Sequence, residues 1–105
     1  MMTPRRVDEK LPRGISMTEA TLRRAVLRLI RKKWPNAWVL GGRHSVAGVA
    51  DLNVCYQGKW IALELKRPGR HPTPLQRATL EKIRAAGGAA CVIRSVKELP
   101  DVLLP

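Results

Sequence analysis

Residues 51–66, with the sequence DLNVCYQGKWIALELK, carry the clearest fold signal of the chain. Apolar and polar residues alternate on both sides of Gln57-Gly58, which is the pattern of two half-buried strands joined by a tight turn. The alternation predicts strands over residues 51–56 and 60–66. Each strand carries charge at the end away from the turn, in a segment that is otherwise apolar, and this placement needs an explanation.

The length of the turn determines where these charges lie. A two-residue turn at Gln57-Gly58 places Asp51 opposite Glu64, and a turn at Gly58-Lys59 places Asp51 opposite Lys66. Because paired residues of antiparallel strands share a face, both registers bring the three charges together. A three-residue turn without a bulge would separate them. Two-residue turns are the commonest, so we expect one shared face.

The overall charge makes the acids informative. The 105-residue chain has 20 Lys and Arg against 8 Asp and Glu, a formal net charge of +12, which predicts a polyanionic partner, nucleic acid before an anionic membrane surface. No run approaches the roughly 18 apolar residues of a membrane span, and the N-terminus has no secretion signal, so we expect no membrane association and a cytoplasmic location. Cys55 and Cys91 are expected to be buried, reduced thiols.

We expect one domain of residues 16–105 behind a basic, disordered N-terminal arm of residues 1–15. A helix is predicted from Ser16 to Trp34-Pro35, with an apolar stripe at three-and-four spacing. The stripe consists of Leu22, Ala25, Val26, Leu29 and Ile30. Its basic residues are interpreted as a solvated or phosphate-contacting surface. They are Arg23, Arg24, Arg28, Arg31, Lys32 and Lys33.

The remaining elements follow from similar signals. A strand is predicted at 37–40, and a glycine-bearing loop with Arg43 and His44 follows it. Thr73-Pro74-Leu75-Gln76 predicts a capped helix start, and Gly87-Gly88 predicts its end. A strand at 89–94 and a short helix from Ser95, with Glu98 completing a second capping box, finish the domain. The fold class is therefore α/β, a small mixed central sheet flanked by helices.

Asp51, Glu64 and Lys66 are the residue types that phosphodiester hydrolysis requires. A hard divalent cation held by two carboxylates neutralises phosphoryl charge and supplies a hydroxide-like nucleophile. Residues two apart on a strand share a face, so the Lys66 ammonium lies beside the carboxylates and stabilises developing negative charge. The backbone carbonyl of Leu65 is a candidate further ligand.

The sequence resembles the VRR-NUC branch of the PD-(D/E)XK nuclease superfamily from about Glu19 to about Ser95. The matching elements are Gly48-Val49-Ala50-Asp51, then Glu64-Leu65-Lys66, then Gln76 in the next helix. One departure is Ala50, where the family has a proline before the aspartate. The substitution changes a backbone preference and removes no ligand.

The resemblance implies a restriction-endonuclease-like α-β-β-β-α-β core and an endonuclease that uses Mg²⁺ or Mn²⁺ on DNA, with branched DNA such as four-way junctions or flaps as the substrate. It implies metal binding by Asp51 and Glu64, a catalytic Lys66 and a supporting Gln76. It also matches Glu19 to a glutamate that members of this branch carry on the first helix, which makes Glu19 a candidate further metal ligand. It also implies phage or bacterial origin and a homodimer.

Several of these residues have a second, purely structural interpretation. Glu19 and Gln76 each stand three residues after a candidate cap, Ser16 and Thr73, and so fit capping boxes. His44 and His71 lack metal-ligand spacing, which favours solvated or phosphate-contacting roles. Tryptophans in an aromatic-poor domain are more often core residues than base-stacking residues. These are Trp34, Trp38 and Trp60.

Arg67, Arg70 and Arg77 follow the catalytic strand and are candidate phosphate contacts, together with Arg43 and His44. The alternative is a solvated cluster. For the whole protein, the alternative to a nuclease is a catalytically silent DNA-binding module on the same fold, and a small basic RNA-associated protein is a more distant third. Neither alternative has a chemical need for two carboxylates facing a lysine.

Overall fold

The computed structural model describes residues 18–41 and 48–103. The predicted N-terminal arm of residues 1–15, together with Arg43 and His44, lies outside the described residues. Within the described residues, no helix has the length and apolar character that a membrane crossing requires.

The described residues form eight elements in the predicted order of helix, three strands, helix, strand and helical end. They are α1 (Glu19–Lys33), β1 (Trp38–Gly41), β2 (Leu52–Tyr56), β3 (Lys59–Leu65), α2 (Pro74–Ala85), β4 (Ala89–Ile93), a 3₁₀ turn (Val96–Glu98) and α3 (Leu99–Leu103). The four strands form one sheet in the order β1-β2-β3-β4. β1, β2 and β3 are antiparallel, and β4 is parallel to β3. The α/β fold class is confirmed.

The hairpin between β2 and β3 has the predicted two-residue turn. Tyr56 pairs with Lys59, and the register continues to Leu52 opposite Leu63. Gln57 and Gly58 have φ angles of 53° and 79°. Two successive positive φ angles define a type I′ turn, whose twist matches that of the flanking strands. The turn therefore fixes the register that places Asp51 opposite Glu64.

The first helix begins later than predicted. Thr18 is its N-cap, because the Thr18 hydroxyl oxygen accepts a hydrogen bond of 3.0 Å from the backbone N–H of Thr21. Glu19 is thus the first helical residue, and the predicted capping box between Ser16 and Glu19 is wrong. The structural interpretation of Glu19 as the acid of that box no longer applies.

The two other predicted capping boxes have opposite outcomes. At α2 the box is present: the Thr73 hydroxyl accepts from the Gln76 N–H at 3.1 Å, and the Gln76 side-chain oxygen accepts from the Thr73 N–H at 2.8 Å. At the 3₁₀ turn the box is wrong, because Ser95 makes no side-chain cap bond. The Glu98 carboxylate instead accepts a hydrogen bond of 2.9 Å from the backbone N–H of Arg94. Arg94 is the residue before the cap Ser95 of this 3₁₀ turn, which is tighter than an α-helix.

The two faces of the sheet are covered differently. One face packs against α1 and α3 in a large apolar core that includes Leu22, Val26, Leu63 and Leu99. The other face packs against α2 through a smaller cluster. That cluster consists of Ala50, Ala62, Leu80 and Ala90. The small side chains allow α2 to lie close over β3 and β4.

The prediction that the tryptophans are core residues is correct for Trp34 and wrong for Trp38 and Trp60. Trp34 belongs to the large apolar core, whereas 56% of Trp38 and 44% of Trp60 is exposed. Both exposed residues project from the face that α2 covers only in part. Cys55 and Cys91 are free and half-buried, and burial raises the pKa of Cys91 to about 11.

Candidate active site

The hairpin brings Asp51, Glu64 and Lys66 together at one end of the sheet. Asp51 stands immediately before β2, and its carboxylate oxygen Oδ2 accepts a hydrogen bond of 2.8 Å from the backbone N–H of Leu65. The Lys66 ammonium lies 3.7 Å from the Glu64 oxygen Oε2. The backbone N–H of Lys66 donates to the carbonyl of Ile93 at 3.0 Å. These bonds fix the three charged residues to β2, β3 and β4.

Glu64 is the most constrained acid of the site. Only 1% of the residue is exposed, and its oxygen Oε1 is buried without a hydrogen-bond partner. Burial, then repulsion by the Asp51 carboxylate and a hydrogen bond with it, raises the pKa of Glu64 to about 7, against the lowering effect of the Lys66 ammonium. A buried, unsatisfied carboxylate oxygen costs free energy unless a cation or donor reaches it.

These features fit a hard divalent cation. Asp51 uses its carboxylate oxygen Oδ2 to accept from Leu65, and within residues 18–41 and 48–103 its other oxygen has no hydrogen bond that would compete with a cation. The N–H and C=O groups of one strand residue point towards the same neighbour, so the Leu65 carbonyl is directed to the side of β3 on which Asp51 lies. Within residues 18–41 and 48–103, no group of three or more His, Cys, Asp or Glu side chains could hold a metal. The protein ligands would therefore be two carboxylates and a backbone carbonyl, with water completing the shell, as Mg²⁺ prefers.

Arg23 belongs to this site, although the sequence placed it on the basic surface of the first helix. It is half-buried, and its guanidinium nitrogen Nη1 donates to the backbone carbonyl of Asp51 at 3.1 Å. A β-carbon at Gly41 would collide with the same guanidinium. The absence of a side chain at Gly41 thus makes room for the contact. The glycine that ends β1 was the only sequence signal for this arrangement.

Glu19 and Gln76 are not brought into direct contact with the carboxylate pair. Glu19 is exposed at the start of α1, and the structure describes no hydrogen bond or ion pair between Glu19 and Asp51 or Glu64 within residues 18–41 and 48–103. The Gln76 side-chain oxygen is occupied by the capping box of α2. The roles that the resemblance implies for these two residues stay predictions.

Two of the candidate arginines, Arg67 and Arg70, lie on the segment between β3 and α2, and Arg77 lies near the start of α2. Arg67 and Arg70 bracket a turn closed by a 3.1 Å bond from the Arg70 N–H to the Arg67 carbonyl. Arg77 donates to the Pro72 carbonyl at 3.2 Å. Arg94 donates to the Arg70 carbonyl at 2.9 Å and lies 3.3 Å from His71 Nδ1. The loop therefore holds its basic residues next to the end of β3.

Similarity to solved structures is found only at the level of the fold. No protein-family model matches the sequence, and no curated protein matches it. A structure described as "VRR_NUC domain" is 20% identical, with a TM-score of 0.69 over 81% of this chain and 92% of that chain. Another, "VRR_NUC domain protein", is 19% identical, with a TM-score of 0.70 over 85% of this chain and 87% of that chain. The chain has the fold of these VRR_NUC domain structures.

Proposed function

We propose that the protein is a metal-dependent DNA endonuclease of the VRR-NUC family, selective for branched DNA such as four-way junctions or flaps. The observation that carries the proposal is the buried Oε1 of Glu64, which has no hydrogen-bond partner although Asp51 and Lys66 lie beside its carboxyl group. A domain that only binds DNA gains nothing from keeping a buried carboxylate, Glu64, close to a half-buried one, Asp51, since they repel each other.

Asp51, Glu64 and the Leu65 carbonyl would hold Mg²⁺ or Mn²⁺. When bound, the cation supplies charge neutralisation at the phosphoryl oxygens and activation of water. The N–H of Leu65 orients the Asp51 carboxylate by its 2.8 Å hydrogen bond. Arg23 fixes the backbone of Asp51 from the other side of the sheet. Both contacts preorganise the ligands, so little rearrangement is needed before reaction.

Lys66 is the proposed catalytic lysine. Its ammonium is 3.7 Å from Glu64, and 14% of its side chain is exposed, so it borders both the carboxylates and solvent. From there it stabilises negative charge that develops on the phosphate and orients the attacking water. Gln76 would support the site from the start of α2. Glu19, exposed at the start of α1, would reach the metal through water.

DNA would be held by basic residues around the site. Arg67, Arg70 and Arg77, together with Arg43 and His44, are the proposed phosphate contacts. The net charge of +12 supports binding that weakens steeply with salt, because neutralised phosphates release counterions. The homodimer that the resemblance implies would present two sites to a branched substrate, in the cytoplasm of a bacterium or a phage-infected host.

A cleavage assay on matched single-stranded, duplex, flap and four-way-junction DNA tests the proposal. The protein is assayed with Mg²⁺, with Mn²⁺ and with EDTA. Lys66→Ala and Asp51→Asn are assayed in parallel, with Lys97→Ala as a control because Lys97 is an exposed lysine of the 3₁₀ turn. We expect metal-dependent cutting that falls at least about a hundredfold in both site variants and is unchanged in the control.

Binding measured on the same substrates separates the two classes of function. Both site variants should bind junction DNA with nearly wild-type affinity, since neither removes a proposed phosphate contact. Tight binding by the wild type without cutting in either metal would contradict the nuclease and favour the DNA-binding module. An affinity that does not change with salt would contradict phosphate-led binding.

A further inference from the structure

Exposed apolar side chains share the sheet face that carries the candidate active site. Pairing places Trp38, Cys55 and Trp60 in one row across β1, β2 and β3, and Leu40 lies one row nearer to the site. Paired residues share a face, and so do residues two apart along a strand. This face therefore also carries Glu64. We call Trp38, Leu40, Cys55 and Trp60 the aromatic face.

The aromatic face is open because α2 does not reach it. The helix packs on β4 and on Ala62 of β3, which leaves the same face of β1 without a covering helix within residues 18–41 and 48–103. On this face of β2, Asn53 is buried between Leu40 and Ala62. The two indoles are 56% and 44% exposed, in contrast with the buried Trp34. A contiguous apolar patch of this kind on a small, highly charged protein marks a binding surface.

The distance from the aromatic face to the site suits a strand of nucleic acid. Cys55 and Asp51 are four residues apart along one strand, which corresponds to about 13 Å at about 3.3 Å per residue. A stacked nucleic-acid strand advances about 3.4 Å per nucleotide. A strand cut beside Asp51 and Glu64 would therefore pass over Trp38 and Trp60 within roughly four nucleotides of the cut.

A cationic residue borders the same region. A β-carbon at Gly48 would contact Leu75 and Thr79 of α2, so this flank of the helix faces the chain that enters β2. Lys82 follows Leu75 by seven positions and Thr79 by three, which places it on the same flank. Lys82 is exposed. The flank thus offers positive charge beside an apolar floor, which is the composition of surfaces that bind single-stranded nucleic acid.

We propose that the aromatic face stacks unpaired nucleobases of the DNA strand that enters the candidate active site. That this strand is cleaved at the site rests on the proposed function, whereas the binding of unpaired bases does not. Aromatic side chains stack on any base, since every base has a π-face, but bases inside a duplex are already stacked on one another. The protein therefore prefers substrates with unpaired nucleotides close to the scissile bond, such as a flap, over intact duplex.

The test is a binding measurement on the full chain in EDTA, where no cleavage occurs. Labelled oligothymidylate and a blunt duplex of the same length are the probes. Trp38→Leu and Trp60→Leu keep apolar bulk and remove the π-face, and the corresponding Phe variants keep both. Tyr56→Leu is the matched control, because Tyr56 lies at the same end of the hairpin on the opposite face.

We expect each Leu variant to bind oligothymidylate roughly tenfold more weakly, with duplex affinity unchanged. The Phe variants and Tyr56→Leu should retain most of the wild-type affinity. Oligothymidylate should quench the tryptophan fluorescence of the wild type. It should not quench the double variant Trp38→Phe/Trp60→Phe, whose remaining Trp34 is buried.

Two results would overturn the inference. One is equal affinity of the wild type and both Leu variants for oligothymidylate. The other is sedimentation of the wild type as a dimer and of the Leu variants as monomers with unchanged DNA affinity, which would assign the face to a second copy of the chain. Neither result depends on cleavage. Stacking without cleavage would support this inference and contradict the nuclease proposal. Cleavage without stacking would support the nuclease proposal and contradict this inference.

Discussion

The two faces of the sheet are built from the same strands and have opposite characters. Along β3, Ile61, Leu63 and Leu65 project into the large core against α1, whereas Ala62 and Glu64 project towards α2. Along β3 the first face is closed and apolar. The second contains small residues, a buried acid and exposed tryptophans. Because side chains alternate along a strand, neighbouring residues of β3 serve different purposes: one packs in the stabilising core and the next faces the candidate active site.

The contrast also explains how a buried carboxylate is tolerated. Leu63 and Leu65, on either side of Glu64, are fully buried and anchor β3 from the face opposite to the site. The apolar contacts on that face offset the cost of desolvating Glu64 on the other. Substitutions that act on only one face should therefore affect only one property.

The largest expected effect on stability is at the closed face. Leu63→Ala removes a fully buried side chain and should lower the free energy of unfolding by about 2–5 kcal/mol. Leu40→Ala is the matched control on the open face, where 49% of the leucine is exposed, and should cost less than about 1 kcal/mol. Urea denaturation followed by circular dichroism measures both. Equal losses would show that the two faces do not differ in the way proposed.

The closed face and the hairpin could be predicted from the sequence because their signals are local. The apolar stripe of α1, the alternation across residues 51–66 and the turn at Gln57-Gly58 each depend on periodicity or on a known turn type. A two-residue turn left two registers open, with Asp51 opposite Glu64 or opposite Lys66, and both put the three charges on one face. For this reason the shared face of Asp51, Glu64 and Lys66 was predictable before any tertiary contact was known.

The features that could not be predicted from the sequence depend on contacts between distant segments. Arg23 is one of several arginines on α1, and only its approach to Gly41 and Asp51 distinguishes it. The exposure of Trp38 and Trp60 depends on how far α2 extends over the sheet, which no periodicity encodes. Residue type alone favours burial for tryptophan. The start of α1 was predicted at Ser16 because its hydroxyl could cap a helix. Thr18, two positions later, also has a hydroxyl, and it is the residue that caps α1.

A smaller effect on the free energy of unfolding is expected from the ionisation of Glu64. Its folded pKa of about 7, against an ordinary value of 4.5, means that the folded state holds this proton more tightly than the unfolded state. The metal-free protein should therefore lose stability as pH rises from about 4.5 to 7 and show no further change from Glu64 above that range. One pKa unit corresponds to about 1.4 kcal/mol, so the loss is at most about 3 kcal/mol.

Comparison with the Glu64→Gln variant separates the contribution of Glu64 to the pH dependence of stability from the contributions of the other titrating groups. The difference in unfolding free energy between wild type and variant, measured in EDTA across the pH range, should follow the Glu64 titration. Addition of Mg²⁺ at pH 8 should raise the melting temperature of the wild type more than that of Glu64→Gln. A difference that is constant with pH would show that Glu64 is not held in a charge-disfavouring environment.

The smallest expected effect on stability tests a contact that links the two faces. Arg23 leaves α1 on the closed face and holds the backbone of Asp51, which carries the site on the other. Arg23→Ala should cost about 1.5–3 kcal/mol, the range for a hydrogen bond from a charged donor. Gly41→Ala should cost about 1 kcal/mol, because the new β-carbon displaces the flexible end of Arg23 and leaves the backbone in place.

A double-mutant cycle decides whether both substitutions act through the same contact. If they do, Gly41→Ala should have almost no effect once Arg23 is alanine, and the two losses should not add. Mn²⁺ binding measured by calorimetry should weaken in either single variant, since the backbone of Asp51 is no longer held, and should weaken no further in the double variant. Additive losses in stability with unchanged Mn²⁺ affinity would mean that Arg23 stabilises the edge of the sheet without positioning Asp51.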